Sequence, residues 1–304
     1  MIAHSALSNR SAKAASVADG YLVTGSTGFL GGRLVAKLES QGSRVIRISQ
    51  SLGIDLTRDD LPLDGVNHVF HLAARTGTAE AWRDPVGFFS TNALGTLRVV
   101  EQCRRQGCSV TFLSSFLYAA DLAVPAKETD PVSPQNPYSL SKLAAEQICA
   151  FYAKRYGLKV VTLRLANIYG PGQRPAFIVP HIVSQVVDES VECIEVLDLS
   201  PKRDLLYVDD AVDGIMMAAS APPGSLFNLG SGHGYSVDEL IRRALAVSGV
   251  DKPYRQTGER RPSDLAQAVA DVSAIREALG WRPTTSLDAG LRAVVEDMRH
   301  RCRK

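Results

Sequence analysis

From Gly20 onward the chain alternates apolar bursts of about five residues with longer stretches of helical periodicity. The bursts are GYLVTG (20–25), RVIRI (44–48), NHVFHLAA (67–74), SVTFLSS (109–115) and LKVVTLRLA (158–166). Helices are predicted near 28–41, 89–106 and 137–156. Near-continuous hydrophobicity marks strands buried on both faces, and strands alternating with helices build a doubly wound parallel sheet. The fold class is therefore α/β. After about Asn167 the rhythm changes. Pro and Gly cluster in NIYGPGQRPAF (167–177), and later strands such as SLFNLG (225–230) are shorter. This predicts a first domain over 20–170 and a smaller C-terminal α/β lobe over 171–304, with segments of the second able to return to the first. Residues 1–19, small, polar and weakly basic, read as a flexible tail.

Composition removes several function classes. Hydrophobic residues make up 45% of 304 and charged residues 22%, as in ordinary globular proteins rather than disordered ones. The balance of 34 Lys and Arg against 32 Asp and Glu leaves +2, too even for binding nucleic acid or an anionic membrane by bulk charge. No apolar run approaches the roughly 20 residues that span a bilayer, so neither nucleic acid nor membrane is an expected partner. Cys103, Cys108, Cys149, Cys193 and Cys302 are odd in number and scattered, without CxxC pairs. This favours reduced thiols in a cytoplasm over disulfides, and no metal site is expected.

The first burst runs into TGSTGFLGG, with Gly25, Gly28 and Gly31 spaced GxxGxxG before a helix. Glycine lets the backbone turn sharply and approach a pyrophosphate, which the free N–H groups of the helix start then bind. Gly25, Gly28, Phe29, Leu30 and Gly31 are the expected turn of a Rossmann-type dinucleotide site. Folds that prefer NAD place an acid at the end of the second strand. Here that end is Ser49, with Arg33, Arg44 and Arg47 nearby. A missing carboxylate and an available arginine suit a 2′-phosphate, so the cofactor is NAD or NADP.

In NPYSLSKLAAEQ, Tyr138 and Lys142 stand at i and i+4 on one helix face. Lowering a tyrosine pKa by about three units takes roughly 4 kcal/mol of preference for the phenolate, part of which a nearby ammonium can supply. Tyr138 then becomes an acid or base usable at neutral pH. A lone YxxxK is commonly just a helix surface. Here it follows a glycine turn and a strand ending in Ser114 and Ser115, in the order such a site requires.

With these elements the chain resembles the extended short-chain dehydrogenase/reductases of the nucleotide-sugar epimerase and dehydratase type. Further matching stretches are HLAA (71–74), NALGTLRVVE (92–101), LRLANIYGPGQRP (163–175), RDLLYVDDAVDG (203–214), FNLGSG (227–232), RRPSD (260–264) and LGWRP (279–283). The resemblance implies an enzyme acting on a nucleoside-diphosphate sugar, with Tyr138, Lys142 and Ser114 as catalytic residues. Ser114 is chosen because it stands four residues before Tyr118, where the family's strand-end hydroxyl stands; Ser115 is the fallback and a candidate substrate contact. It further implies cofactor contacts at Asp55, Leu56, Leu72, Ala73, Ala74 and Asn92, the last as the helix Asn that helps hold the active-site backbone. Asp55 would accept from the adenine amino group, although an Asp in a loop is also a common turn former. His71 reads better as a core histidine than as a catalytic one. Asn167, Arg203, Arg261 and Asp264 match positions near the nucleoside diphosphate, and Phe177 a position near the base.

The implied reaction is epimerisation at C4 through a transient 4-keto sugar. The alternative is an NADPH-dependent 4-ketoreductase, and a further one is a non-catalytic cofactor-sensing protein. Ser115 and Phe116 replace the acid pair of the 4,6-dehydratases, which disfavours dehydration. The resemblance also implies a homodimer pairing helices near 92–106 and 137–156, although Leu97, Val100, Leu143 and Ile148 could equally cover the sheet.

Overall fold

The first apolar burst folds as strand β1 (Gly20–Thr24), which passes through Gly25 into helix α1 (Phe29–Ser40). These coordinates are a computed structural model that describes residues 20–116, 124–258 and 265–302. The expected tail at 1–19 lies outside those residues, as do Arg261 and Asp264. The chain continues through β2 (Arg44–Ile48), β3 (His68–His71), two short helices α2 (Thr78–Arg83) and α3 (Pro85–Phe89), then α4 (Gly95–Gln106), β4 (Ser109–Ser115), α5 (Pro137–Tyr156) and β5 (Val160–Leu165). The helix predicted over 89–106 is interrupted: Ser90–Leu94 form a π turn between α3 and α4.

Period-two alternation sends neighbouring side chains to opposite faces of the sheet. Val23, Phe70 and Leu113 pack with Leu30, Leu34 and Leu38 of α1 on one face. Leu22, Val69 and Phe112 pack with Val99 and Val100 of α4 and Ala145 of α5 on the other. Burying each of the Val, Leu and Phe side chains contributes roughly 1.5–3 kcal/mol. Helices on both faces define a doubly wound sheet, as expected.

The second half follows as β6 (Asn167–Tyr169), α6 (Ile178–Val187), β7 (Ile194–Val196), β8 (Lys202–Tyr207), α7 (Val208–Ala218), β9 (Leu226–Leu229), β10 (Gly234–Ser236), α8 (Val237–Ser248), β11 (Tyr254–Gln256), β12 (Gln267–Ala268), α9 (Ser273–Leu279) and α10 (Leu287–Cys302). Part of it builds a lobe of its own. β8 pairs with β6, β10 and β12, and α6, α8 and α10 share a core through Ile182, Leu240, Ile241 and Leu291. Part returns: β9 pairs in parallel with β5 and closes a six-stranded sheet of order β2-β1-β3-β4-β5-β9. Val212 and Ile215 of α7, Ile275 of α9 and Trp281 pack on the α1 face beside it. SLFNLG thus belongs to the first sheet rather than the lobe. No described helix is long and apolar enough to cross a membrane.

After β1 the chain goes to β2 on one side and then to β3 on the other. This strand-order switch opens a crevice at the carboxyl ends, where ligands of open parallel sheets bind.

Candidate active site

Gly25 ends β1 in the left-handed region (φ 70°), and a Cβ there would stand 2.8 Å from the backbone nitrogen of Ala73. A Cβ on Gly31 would sit 2.1 Å from the Gly25 carbonyl oxygen, so α1 begins this close to β1 only with glycine. Gly28 caps α1 with no side-chain hydrogen bond, and no acid stands in its first turn. Its free N–H groups and partial positive charge suit an anion. Gly25, Gly28, Phe29, Leu30 and Gly31 all line one cleft of about 1310 Å³ along the carboxyl ends of β1, β3, β4 and β5. A single small ligand commonly occupies about 300–1,000 Å³; this cleft has room for a dinucleotide and a second molecule.

Ser49, Asp55, Leu56, Leu72, Ala73 and Ala74 line the same cleft. Asp55 also makes the turn: its carboxylate accepts from the Thr57 hydroxyl (2.7 Å) and N–H (2.9 Å), which holds its pKa below the usual value. His71 is core, its ring nitrogens bonded to Thr24 Oγ1 (2.7 Å) and Thr96 Oγ1 (2.9 Å), and burial brings its pKa down to about 3. Two of the three arginines expected near a 2′-phosphate are engaged elsewhere. Arg33 bonds Asp209 and the Pro171 carbonyl, Arg47 is bidentate to Glu39, and the Arg44 guanidinium lies near Gly65. The end of β2 instead carries a chain of hydroxyls, Ser49 to Ser51 and Ser51 to Thr27, each 2.9 Å apart.

α5 opens on a reciprocal cap. Asn136 Oδ1 accepts the Ser139 N–H (2.8 Å), Ser139 Oγ accepts the Asn136 N–H (3.2 Å), and Pro137 stands at the first position. This fixes the turn that carries half-buried Tyr138 and delivers it with Lys142 to the cleft. The hydroxyl bonded to Tyr138 is that of Ser115. That is the fallback of the two serines named from the sequence; Tyr118, from which Ser114 is counted, lies outside the described residues. Both serines line the cleft.

Lys142 Nζ donates to the Leu113 carbonyl (2.5 Å) above the Phe112 ring, and burial lowers its pKa to about 8. The expected depression of Tyr138 is not found in the protein alone: burial pushes its phenol up, and the Ser115 bond only partly opposes this. Asn92 holds backbone at the site. It is fully buried behind the cleft wall, its side chain bonding the backbone N–H (2.8 Å) and carbonyl (3.1 Å) of Arg75 and the Ser141 hydroxyl (2.9 Å). It ties the wall after β3 to the Tyr138 helix instead of lining the cleft as a cofactor contact.

Asn167, Phe177 and Arg203 line the cleft from the second half of the chain. Arg203 Nη1 donates to the Lys202 and Leu265 carbonyls. Its neighbour Asp204 turns inward, 1% exposed, and accepts from the Ser231 N–H and hydroxyl (2.6 Å each), Gly232 N–H (3.0 Å) and Ala270 N–H (3.2 Å).

Residues 21–230 match the model of the NAD dependent epimerase/dehydratase family. The chain belongs to that family. It is 30% identical over 297 residues to the GDP-6-deoxy-D-mannose reductase of Pseudomonas aeruginosa, covering 93% of this chain and 98% of the relative. It is 32% identical over 311 residues to a UDP-glucose 4-epimerase of Mycolicibacterium smegmatis, covering 92% and 98%. The structure of RMD from Pseudomonas aeruginosa complexed with NADPH superposes with a TM-score of 0.84 at 29% identity, covering 93% of this chain and 99% of that one.

Membership explains the glycine turn and the Tyr–Lys helix but not all of the site. Behind Tyr138 the buried Phe88 ring stands edge-on at 6.3 Å, with the Arg75 guanidinium 4.6 Å from the Phe88 centroid. Arg75 is held by Asp84 (2.5 Å) and Glu80 (2.6 Å). Sequence reasoning missed this wall. The only signal was two acids five and nine residues after Arg75, in a stretch with no helical rhythm of its own.

Proposed function

We propose that this chain is an NAD(P)-dependent nucleoside-diphosphate-sugar epimerase acting at sugar C4 through a transient 4-keto sugar. The observation that carries this reading is the Tyr138–Ser115 hydrogen bond, placed in the cleft that also holds the phosphate turn. In this reading Tyr138 takes the C4 hydroxyl proton as the carbinol is oxidised and returns it as the ketone is reduced. The Ser115 hydroxyl bonds the reacting oxygen in both directions. Of the three Lys142 donors, Leu113 takes one, leaving the others for a ribose hydroxyl. NAD or NADP, held by the Gly25–Gly31 turn and the Leu72–Ala74 wall, supplies the two-electron acceptor and donor when bound. Asn167, Arg203 and Phe177 would receive the nucleoside diphosphate, with Arg261 and Asp264 assigned by resemblance alone.

Two observations favour 4-keto reduction as a second reading. Tyr138 is held as a neutral phenol, ready to donate a proton, and becomes a base only when positive charge enters the cleft. The end of β2 offers hydroxyls and no carboxylate to a 2′-phosphate. Incubation with UDP-glucose and catalytic cofactor, and separately with a nucleotide-linked 4-keto sugar and NADPH, separates the two. Turnover without net cofactor consumption means epimerase; one NADPH oxidised per product means reductase. Undiminished turnover by Tyr138→Phe in both assays rejects the acid/base assignment.

The same reading makes the protein a cytoplasmic homodimer. The thiols of Cys103, Cys108 and Cys149 are free and buried, as a reducing compartment allows. Leu94, Leu140, Phe151 and Tyr156 leave exposed apolar surface on the α4–α5 side. Val100 and Leu143, named from the sequence, are buried instead, Val100 in the core on the sheet.

A further inference from the structure

We propose that Gln173 reads a ligand in the cleft through its side-chain carbonyl, accepting a hydrogen bond from a neutral O–H or N–H donor. The side chain is 4% exposed, and Nε2 donates to the Ile168 carbonyl at 2.8 Å. That bond decides which way the amide points, because the reversed amide would set two acceptor oxygens against each other. The atom left over is Oε1, buried and with no partner among the described residues. Arg98 Nε and Asn228 Oδ1 share that condition, but of the three residues only Gln173 lines the cleft. A buried acceptor without a donor is destabilising, and folded proteins keep such atoms where something else satisfies them.

Chemistry limits what that can be. Phosphate oxygens are acceptors at neutral pH, so the diphosphate of either ligand is excluded. A sugar or ribose hydroxyl, a base imide or a carboxamide N–H qualifies. Both the dinucleotide and the nucleotide sugar carry such donors, and Gln173 stands between the two sets of contacts. Its turn begins at Gly170, where a Cβ would lie 3.6 Å from the Phe29 ring on the cofactor side, and four residues after Gln173 the chain reaches Phe177 on the substrate side. The inference rests on the proposed function for the identity of these ligands, not for the reaction.

The test is calorimetric titration of the whole chain, wild type and Gln173→Met, with NADPH alone and with UDP-glucose alone. Methionine keeps the length and removes the acceptor. One of the two affinities is expected to fall on the order of 10- to 100-fold, with the ligand-free Tm lowered by no more than about 4 °C for the lost Ile168 bond. A loss confined to NADPH assigns the donor to the cofactor, and a loss confined to UDP-glucose assigns it to the sugar nucleotide. Unchanged affinity for both overturns the inference in favour of a buried water, and an equal loss for both overturns it in favour of a packing role. If the wild type binds neither probe, the functional reading falls and takes this inference with it.

Discussion

One step along β4 separates Ser114 from Ser115, and the second is bonded to the Tyr138 phenol. Ser115→Ala is therefore expected to lower kcat by about 10²-fold, as removal of a donor at a developing oxyanion does. Ser114→Ala is expected to cost less than Ser115→Ala; steady-state kinetics on both variants check the pair. The two histidines of β3 give a second prediction at this scale. Burial lowers the pKa of His68 to about 4 and of His71 to about 3, against 6.5 when exposed. The unfolded chain thus binds more protons between those values, and the stability present above pH 6.5 is lost as pH falls. Each histidine should cost about 2 kcal/mol between pH 6.5 and 5. Urea unfolding across that range measures it, with a shallower pH dependence expected in His71→Gln. The residue types of the site were legible in the sequence: Tyr138, Lys142 and the serine pair were all found. Which of the two bonds the phenol was not, because strand register at an element's end depends on contacts rather than on spacing.

Among the elements, the loop after β9 shows how a charge can hold a backbone. Asp204, on β8, collects four hydrogen bonds from Ser231, Gly232 and Ala270, joining β8 to the turn after β9 and to the chain after β12. Asp204→Ala would leave those donors buried without an acceptor, and is expected to destabilise the protein by about 3 kcal/mol or more, read from the denaturant midpoint. FNLGSG and RDLLYVDD could each be recognised in the chain, but not their mutual attachment. The same limit applies to the arginines near Ser49. Arg47 and Arg33 look available in sequence, yet Glu39 and Asp209, 8 and 176 residues away, take them. The π turn of Ser90–Leu94 was invisible for a related reason, since one extra residue per turn barely alters a hydrophobic pattern.

For the molecule as a whole, Leu140 and Phe151 lie eleven residues apart, about three turns, so both project from one face of α5. A paired helix face should fail when charged. Wild type is expected to sediment as a dimer at micromolar concentration and the Leu140→Lys/Phe151→Lys double variant as a monomer, with near-UV circular dichroism unchanged. The alternation of apolar bursts and helices predicted the doubly wound sheet and allowed later segments to return to it, but not which one, because a four-residue strand reached through the second lobe carries no mark of its destination. That placement bears on how the protein is made. Until Leu229 has left the ribosome, the outer edge of β5 has nothing to pair with. The dinucleotide half therefore cannot mature first and wait, and the nascent chain must hold an open sheet border through some sixty residues of further translation.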